Sequence, residues 1–150
     1  MNAPANLTPA HNPGMDEDIF EQFAEQLKRY VRERLIPAEA QVIAEDRIPD
    51  EIVKEMREMG LFGLSVPEEY GGAGLNMTQY ARVVNIMAYA APAYRSIFSI
   101  NVGMFASALK NGATEAQKAE WYPKIAEGRI ACFGLTEPGS GSDSAGLATT

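Results

Sequence analysis

Histidine and cysteine are nearly absent from this chain of 150 residues, which holds one of each, His11 and Cys132. A lone cysteine excludes an internal disulfide and fits a reducing compartment. A lone histidine, set in the Asn-, Pro- and Ala-rich opening, excludes a Ser/His triad or a His-ligated zinc built from an ordered part of this chain. Positive charge is scarce too: 13 Lys and Arg stand against 20 acids, for a net charge of -7. General nucleic-acid binding is excluded on that balance, while a small polyanion remains possible where donors gather locally. No run approaches the ~20 uninterrupted apolar residues of a membrane span. The opening MNAPANLTPAHNPGM lacks the basic start and apolar core of a secretory signal, so a cytoplasmic location is expected.

Several familiar motifs are missing as well. No serine sits in G-x-S-x-G, and there is no G-x-x-x-x-G-K-[ST]. The Gly71, Gly72 and Gly74 cluster does not complete G-x-G-x-x-G, because position 77 is Met. Cys132 has no ordered histidine beside it and reads as a packed strand residue rather than a nucleophile.

What is present is an ordinary globular composition, 46% hydrophobic and 22% charged, with length for one domain or one domain and the start of another. Residues 1–15 read as a flexible tail. From Asp16, the residues Ile19, Phe20, Phe23, Leu27, Tyr30, Val31 and Leu35 recur at steps of three and four, which predicts an amphipathic helix. Glu25 and Arg29 are placed for an i,i+4 pair. Pro37 predicts a kink or break before helix resumes to about Glu45. A second helix is expected over IPDEIVKEMREMG, with Pro49 in its first turn and Gly60 as its stop. A third starts near Asn76 or Met77, carries Tyr80, Val83, Val84, Met87 and Ala91 on one side, and ends at Pro92.

The stretch Tyr94–Lys110 is apolar or small nearly all round and predicts a helix buried on several sides, with Gly103, Ala106 and Ser107 allowing close helix packing or close approach of a ligand. Thr114 caps a fifth helix anchored by Trp121 and Tyr122 and closed by Gly128. The texture then changes, and RIACFGL has the length and composition of a short strand.

That strand runs into CFGLTEPGSGSDSAG. Gly139 and Gly141 permit positive φ and close backbone approach, Thr136, Ser140 and Ser142 offer hydroxyls, and consecutive amides can form an anion-binding nest. By composition alone a solvated surface turn is the favoured reading.

The order of residues narrows the choice. FGLTEPGSGSDSAG resembles the signature of the flavin-dependent acyl-CoA dehydrogenase family, with T-E-P-x-x-G-S-D intact from Thr136 to Asp143. GLFGLSVPEEYGGAGLN and NGATEAQKAEWYPKIAEGRIACFGLTEP are similar to the family's segments upstream of it, so the resemblance runs from about Asp16 onward. It implies a mainly α fold: a helical N-terminal domain over 16–128, with 129–150 as the first strand and turn of a middle β-domain that the family completes further on, followed there by a C-terminal four-helix domain. It also implies FAD as cofactor and α,β-dehydrogenation of an acyl-CoA thioester, a carboxylate taking the α-proton and the β-hydride passing to flavin N5.

The resemblance further implies site residues. Phe133, Gly134, Leu135 and Thr136 would line the flavin ring, with the Leu135 amide and Thr136 hydroxyl toward its pyrimidine side. Ser142, with the Gly139, Ser140 and Gly141 backbone, would meet the FAD pyrophosphate or the phosphopantetheine arm of the substrate. Ile100 and Gly103 would wall the acyl pocket. No catalytic residue is expected within the chain, since the family's base lies in its C-terminal domain, and Glu137 is read as ordering the turn. An electron-transfer flavoprotein is the implied acceptor and a homo-oligomer, tetramer or dimer, the implied assembly. An acyl-CoA oxidase or flavin monooxygenase of the same fold, or a non-catalytic helical interaction module, remain alternatives.

Overall fold

The computed structural model describes residues 12–149; His11 and most of the stretch read as a tail lie outside them. Helix α1 spans Glu17–Tyr30, capped by the Asp16 carboxylate, which accepts from the amides of Asp18 and Ile19. Acids fill its first turn and Lys28 and Arg29 its last, each complementing the helix dipole. Its inner face buries Phe20, Ala24 and Leu27, while Ile19, placed on the predicted stripe, is 57% exposed. Glu25 pairs with Lys28 at 2.6 Å rather than with Arg29, the i,i+3 neighbour being the nearer partner here.

The break expected at Pro37 takes another form. Val31–Leu35 make a π turn that leads directly into α2, Ile36–Glu45. The Ile36 amide reaches back five residues to the Val31 carbonyl, and Pro37 sits in the next turn, where its missing donor is absorbed by the widened register. Helix α3 is Asp50–Glu58; Pro49 is its N-cap, one step before the first-turn position expected. Helix α4, Met77–Met87, begins with a reciprocal capping box: the Gln79 amide donates to Asn76 Oδ1 at 2.9 Å, and the Asn76 amide donates to Gln79 Oε1 at 3.3 Å. It buries Val83, Ile86 and Met87, whereas Val84 stays half-exposed. Pro92 opens α5, Pro92–Ser99, instead of closing α4, because at a first helical position the absent N–H costs no bond.

The tail read over 1–15 does not extend through its last residues. Asn12 donates to the Gly74 carbonyl at 3.1 Å, Asn76 to the Pro13 carbonyl at 2.9 Å, and the buried Gln79 side chain bonds both the amide (3.0 Å) and the carbonyl (2.7 Å) of Met15. Residues 12–15 are thus tied to the start of α4.

Two cores result. The larger joins α1, α2, α3, α4 and α5 through Phe20, Leu27, Leu35, Ile52, Met56, Leu61, Phe62, Met87, Tyr94 and Phe98. Each such side chain stabilises the fold by roughly 1.5–3 kcal/mol on burial. The Tyr94 hydroxyl satisfies the Leu35 carbonyl at 3.1 Å, and Arg82 bridges α4 to α1 through Glu17 and Glu21 while lying 4.7 Å from the Phe20 ring centre. The smaller core gathers Val66, Ala106, Leu109, Tyr122 and Ile125 under α6, Ala106–Gly112, and α7, Glu115–Ala126. Helix α7 starts with the second capping box, Thr114 with Gln117, and ends at Gly128, φ +90°.

Among the described residues there is no paired strand. Arg129–Leu135, expected as one, is extended without a ladder, because a strand exists only beside another strand and none lies alongside it among the described residues; the sole bridge there joins Glu137 to Ser140. The mainly helical class stands.

Candidate functional site

The route from Tyr94 to Gly112 is two α-helices joined by a π turn, α5, Ile100–Phe105 and α6. It is not buried on several sides. Tyr94, Phe98, Asn101, Val102, Ala106 and Leu109 face the core, while Ser96, Ile100, Gly103, Met104 and Ser107 form an open face. Ile100 is 36% and Met104 45% exposed. Gly103 is not demanded by tight packing: a Cβ there would meet only the Tyr80 hydroxyl, at 3.5 Å. Ala106 does meet another helix, its carbonyl accepting from the Tyr122 hydroxyl at 3.3 Å.

Asn101 is the residue sequence reading missed. Its side chain is fully buried, donates to the Arg129 carbonyl at 2.6 Å and accepts from the Ala131 amide at 2.8 Å. One amide therefore holds the start of the extended segment against the helix turn that carries Ile100 and Gly103. The signal was available: a single amide inside an apolar helical stretch must be paired if buried. The turn is held on its other side by Ser65, whose hydroxyl donates to the Val102 carbonyl at 2.7 Å.

Beyond Ala131 the chain is open. Cys132 is exposed, not packed, since among the described residues no second strand covers it, and Phe133, Gly134, Leu135 and Thr136 are exposed as well. The turn that follows is self-contained. Glu137 and Ser140 exchange backbone bonds of 3.0 and 3.1 Å, and the Ser140 hydroxyl donates to the Asp143 carbonyl, which commits that group internally. The Glu137 carboxylate accepts from the amides of Ala148 and Thr149, both at 2.9 Å, as expected of a residue that orders the turn. Those two donors hold its carboxyl below the ordinary glutamate range. Gly139, Gly141 and Ser142 are exposed, and nothing lies within 4 Å of a Cβ built on Gly134, Gly139 or Gly141.

The donor set fits a flavin nucleotide: the Cys132–Thr136 backbone amides and the Thr136 hydroxyl, which have no partner among the described residues, and glycines that leave room for a phosphate to approach. Among the described residues no cluster of His, Cys, Asp or Glu would hold a metal, and no helix is long and apolar enough to cross a membrane. A depression of about 620 Å³ is lined by Arg57, Lys124, Glu127, Gly128, Arg129 and Ile130, and none of the predicted site residues contributes to it.

A helical body thus passes its chain, through the Asn101 clamp, to an exposed turn rich in small residues. The family described as acyl-CoA dehydrogenase, N-terminal domain, matches residues 17–129. The chain belongs to the acyl-CoA dehydrogenase family. It is 38% identical to (2S)-methylsuccinyl-CoA dehydrogenase of Cereibacter sphaeroides, over 91% of this chain and 25% of that protein. Identity is 31% to the mitochondrial short-chain specific acyl-CoA dehydrogenase of Sus scrofa, over 89% of this chain and 32% of that protein. The solved glutaryl-CoA dehydrogenase from Mycobacterium smegmatis in complex with FADH2 superposes with a TM-score of 0.76 at 31% identity, covering 90% of this chain and 35% of that one. The chain thus spans between a quarter and 35% of the length of these relatives.

Proposed function

We propose that this chain forms the helical part of an FAD-dependent enzyme that desaturates an acyl-CoA thioester at Cα–Cβ, with residues 129–150 opening a β-domain after the helical domain of 16–128. FAD, when bound, supplies the two-electron acceptor for the β-hydride. Phe133–Thr136 present backbone along the ring, the Leu135 amide and Thr136 hydroxyl serving as fixed donors toward its pyrimidine edge, where reduction places negative charge. Gly139, Ser140, Gly141 and Ser142 take the diphosphate end, largely through backbone amides since the Ser140 hydroxyl is occupied. Ser142 also lies free for the pantetheine arm. Ile100, Gly103 and Met104 offer the apolar surface on which an acyl chain lies, removing that surface from water.

The observation that carries this reading is the pairing of an open apolar helix face with an open donor segment, joined at Asn101. The α-proton is taken by a carboxylate outside residues 1–150, Glu137 being engaged with Ala148 and Thr149. Family membership supports an electron-transfer flavoprotein as acceptor and a dimer or tetramer as assembly.

The test is the visible spectrum of the full-length gene product, then anaerobic addition of acyl-CoA thioesters. Stoichiometric flavin that bleaches with acyl-CoA is expected, with slow reoxidation by air. Fast reoxidation by oxygen assigns the protein instead to the oxidases or monooxygenases of this fold. A colourless product that gains no colour with added FAD leaves the helical interaction module as the reading.

A further inference from the structure

We propose that Asn101 is a positioning residue that sets the register of the segment leading to Phe133–Thr136 against the turn carrying Ile100 and Gly103, an inference that rests on the flavin reading above. Its two bonds, to the carbonyl of residue 129 and the amide of residue 131, flank Ile130. That is the pattern by which one residue of a parallel strand holds its neighbour, the partner's single N–H and C=O meeting the groups on either side of the facing residue. Here a side-chain amide, with one acceptor oxygen and donor hydrogens in one plane, takes the place of a strand.

Three features separate this from an amide buried for packing alone. Both ends reach a distant segment, 28 and 30 residues away, and neither bonds within its own helix. Asn101 lies within the π turn, its own carbonyl accepting from the Ala106 amide five residues on, a register that departs from the α-helix on either side. And among the described residues no other backbone group from Ile130 to Thr136 bonds to the helical body. The segment's placement, two residues before Phe133, therefore rests on this side chain together with the Arg129 amide, which donates to the Lys124 carbonyl at 2.9 Å. Moving Asn101 moves the donor segment relative to Ile100 and Gly103, so the acyl and flavin surfaces share a hinge pin.

The experiment uses the full-length protein, first unmutated. In the flavin-free form, the Ala131 amide exchanges its hydrogen slowly; an Ala131 amide that exchanges at the rate of an open peptide overturns the proposal. Asn101→Asp then keeps the acceptor for Ala131 and removes the donor to Arg129. In the flavin-loaded variant the rate of bleaching by acyl-CoA per bound flavin falls about 10- to 100-fold, with a smaller change in KM and an altered flavin band shape. A variant of lowered Tm whose bleaching rate and spectrum per bound flavin match the parent shows a structural role only and overturns the proposal. A parent that binds no FAD overturns the flavin reading alone, and the register claim is then decided by exchange at Ala131.

Discussion

Arg57 lies across Gly128 in the place a side chain would take. Its Nε donates to the Gly128 carbonyl at 3.1 Å, its guanidinium stands 5.8 Å from the Phe62 ring centre, and a Cβ on Gly128 would come 2.8 Å from Arg57 Cδ and collide with Cγ. The pair closes α7 immediately before the segment that Asn101 clamps. Gly128→Ala places a side chain at φ +90° and pushes Arg57 away, so a loss of roughly 1–3 kcal/mol is expected. Urea unfolding checks it: the midpoint falls with an unchanged slope.

Tyr30 donates to Glu55 Oε2 at 2.9 Å, and Arg34 Nε contacts both oxygens of the same carboxylate at 3.0 Å. Burial and the Glu55 charge push the phenol well above its ordinary range, so it stays a donor at any working pH. Tyr30→Phe removes one bond and leaves Glu55 with Arg34, which predicts a loss of about 1 kcal/mol in the same unfolding experiment. Adding Arg34→Ala strips Glu55 of both partners and costs more than Tyr30→Phe alone.

Glu137 gives the turn a pH dependence of known sign. Its carboxyl is depressed in the folded chain, so its contribution is complete above the ordinary glutamate value and is lost as the pH falls through the lowered one. Protection of the Ala148 and Thr149 amides should therefore hold at neutral pH and collapse in acid. Glu137→Gln should lose part of that protection at neutral pH and remove the acid transition.

Gly103 separates folding from substrate choice. Because a Cβ there meets only the Tyr80 hydroxyl at 3.5 Å, Gly103→Ala should raise stability by about 0.5–1 kcal/mol, the helix no longer carrying glycine's entropy cost. A bulkier Gly103→Leu projects from the open face, and the KM for longer acyl thioesters should rise more than that for short ones. Equal effects on all chain lengths would remove Gly103 from the acyl wall.

Much of the helical layout is legible without coordinates, and particular residues show why. Asn76 with Gln79 and Thr114 with Gln117 announce helix starts because each cap bonds within three residues. Gly60 and Gly128 announce stops because positive φ is a property of one residue. Pro92 misled, since a proline suits the start of a helix as well as the place just past an end, and the Ala88 cap had already closed α4. The strand at 129–135 misled for a different reason: composition marks extended backbone, but pairing depends on what lies alongside.

The chain's own order of residues determined the caps, the amphipathic stripes and the signature turn at Thr136–Asp143, all of which depend on neighbours a few positions apart. The fold alone decided that Asn101 grips residues 129 and 131, that Gln79 holds Met15, and that Ile100 and Gly103 face outward. Those outcomes join groups 28 to 64 residues apart, and a hydrogen bond over such a separation exists only once packing has brought both ends together.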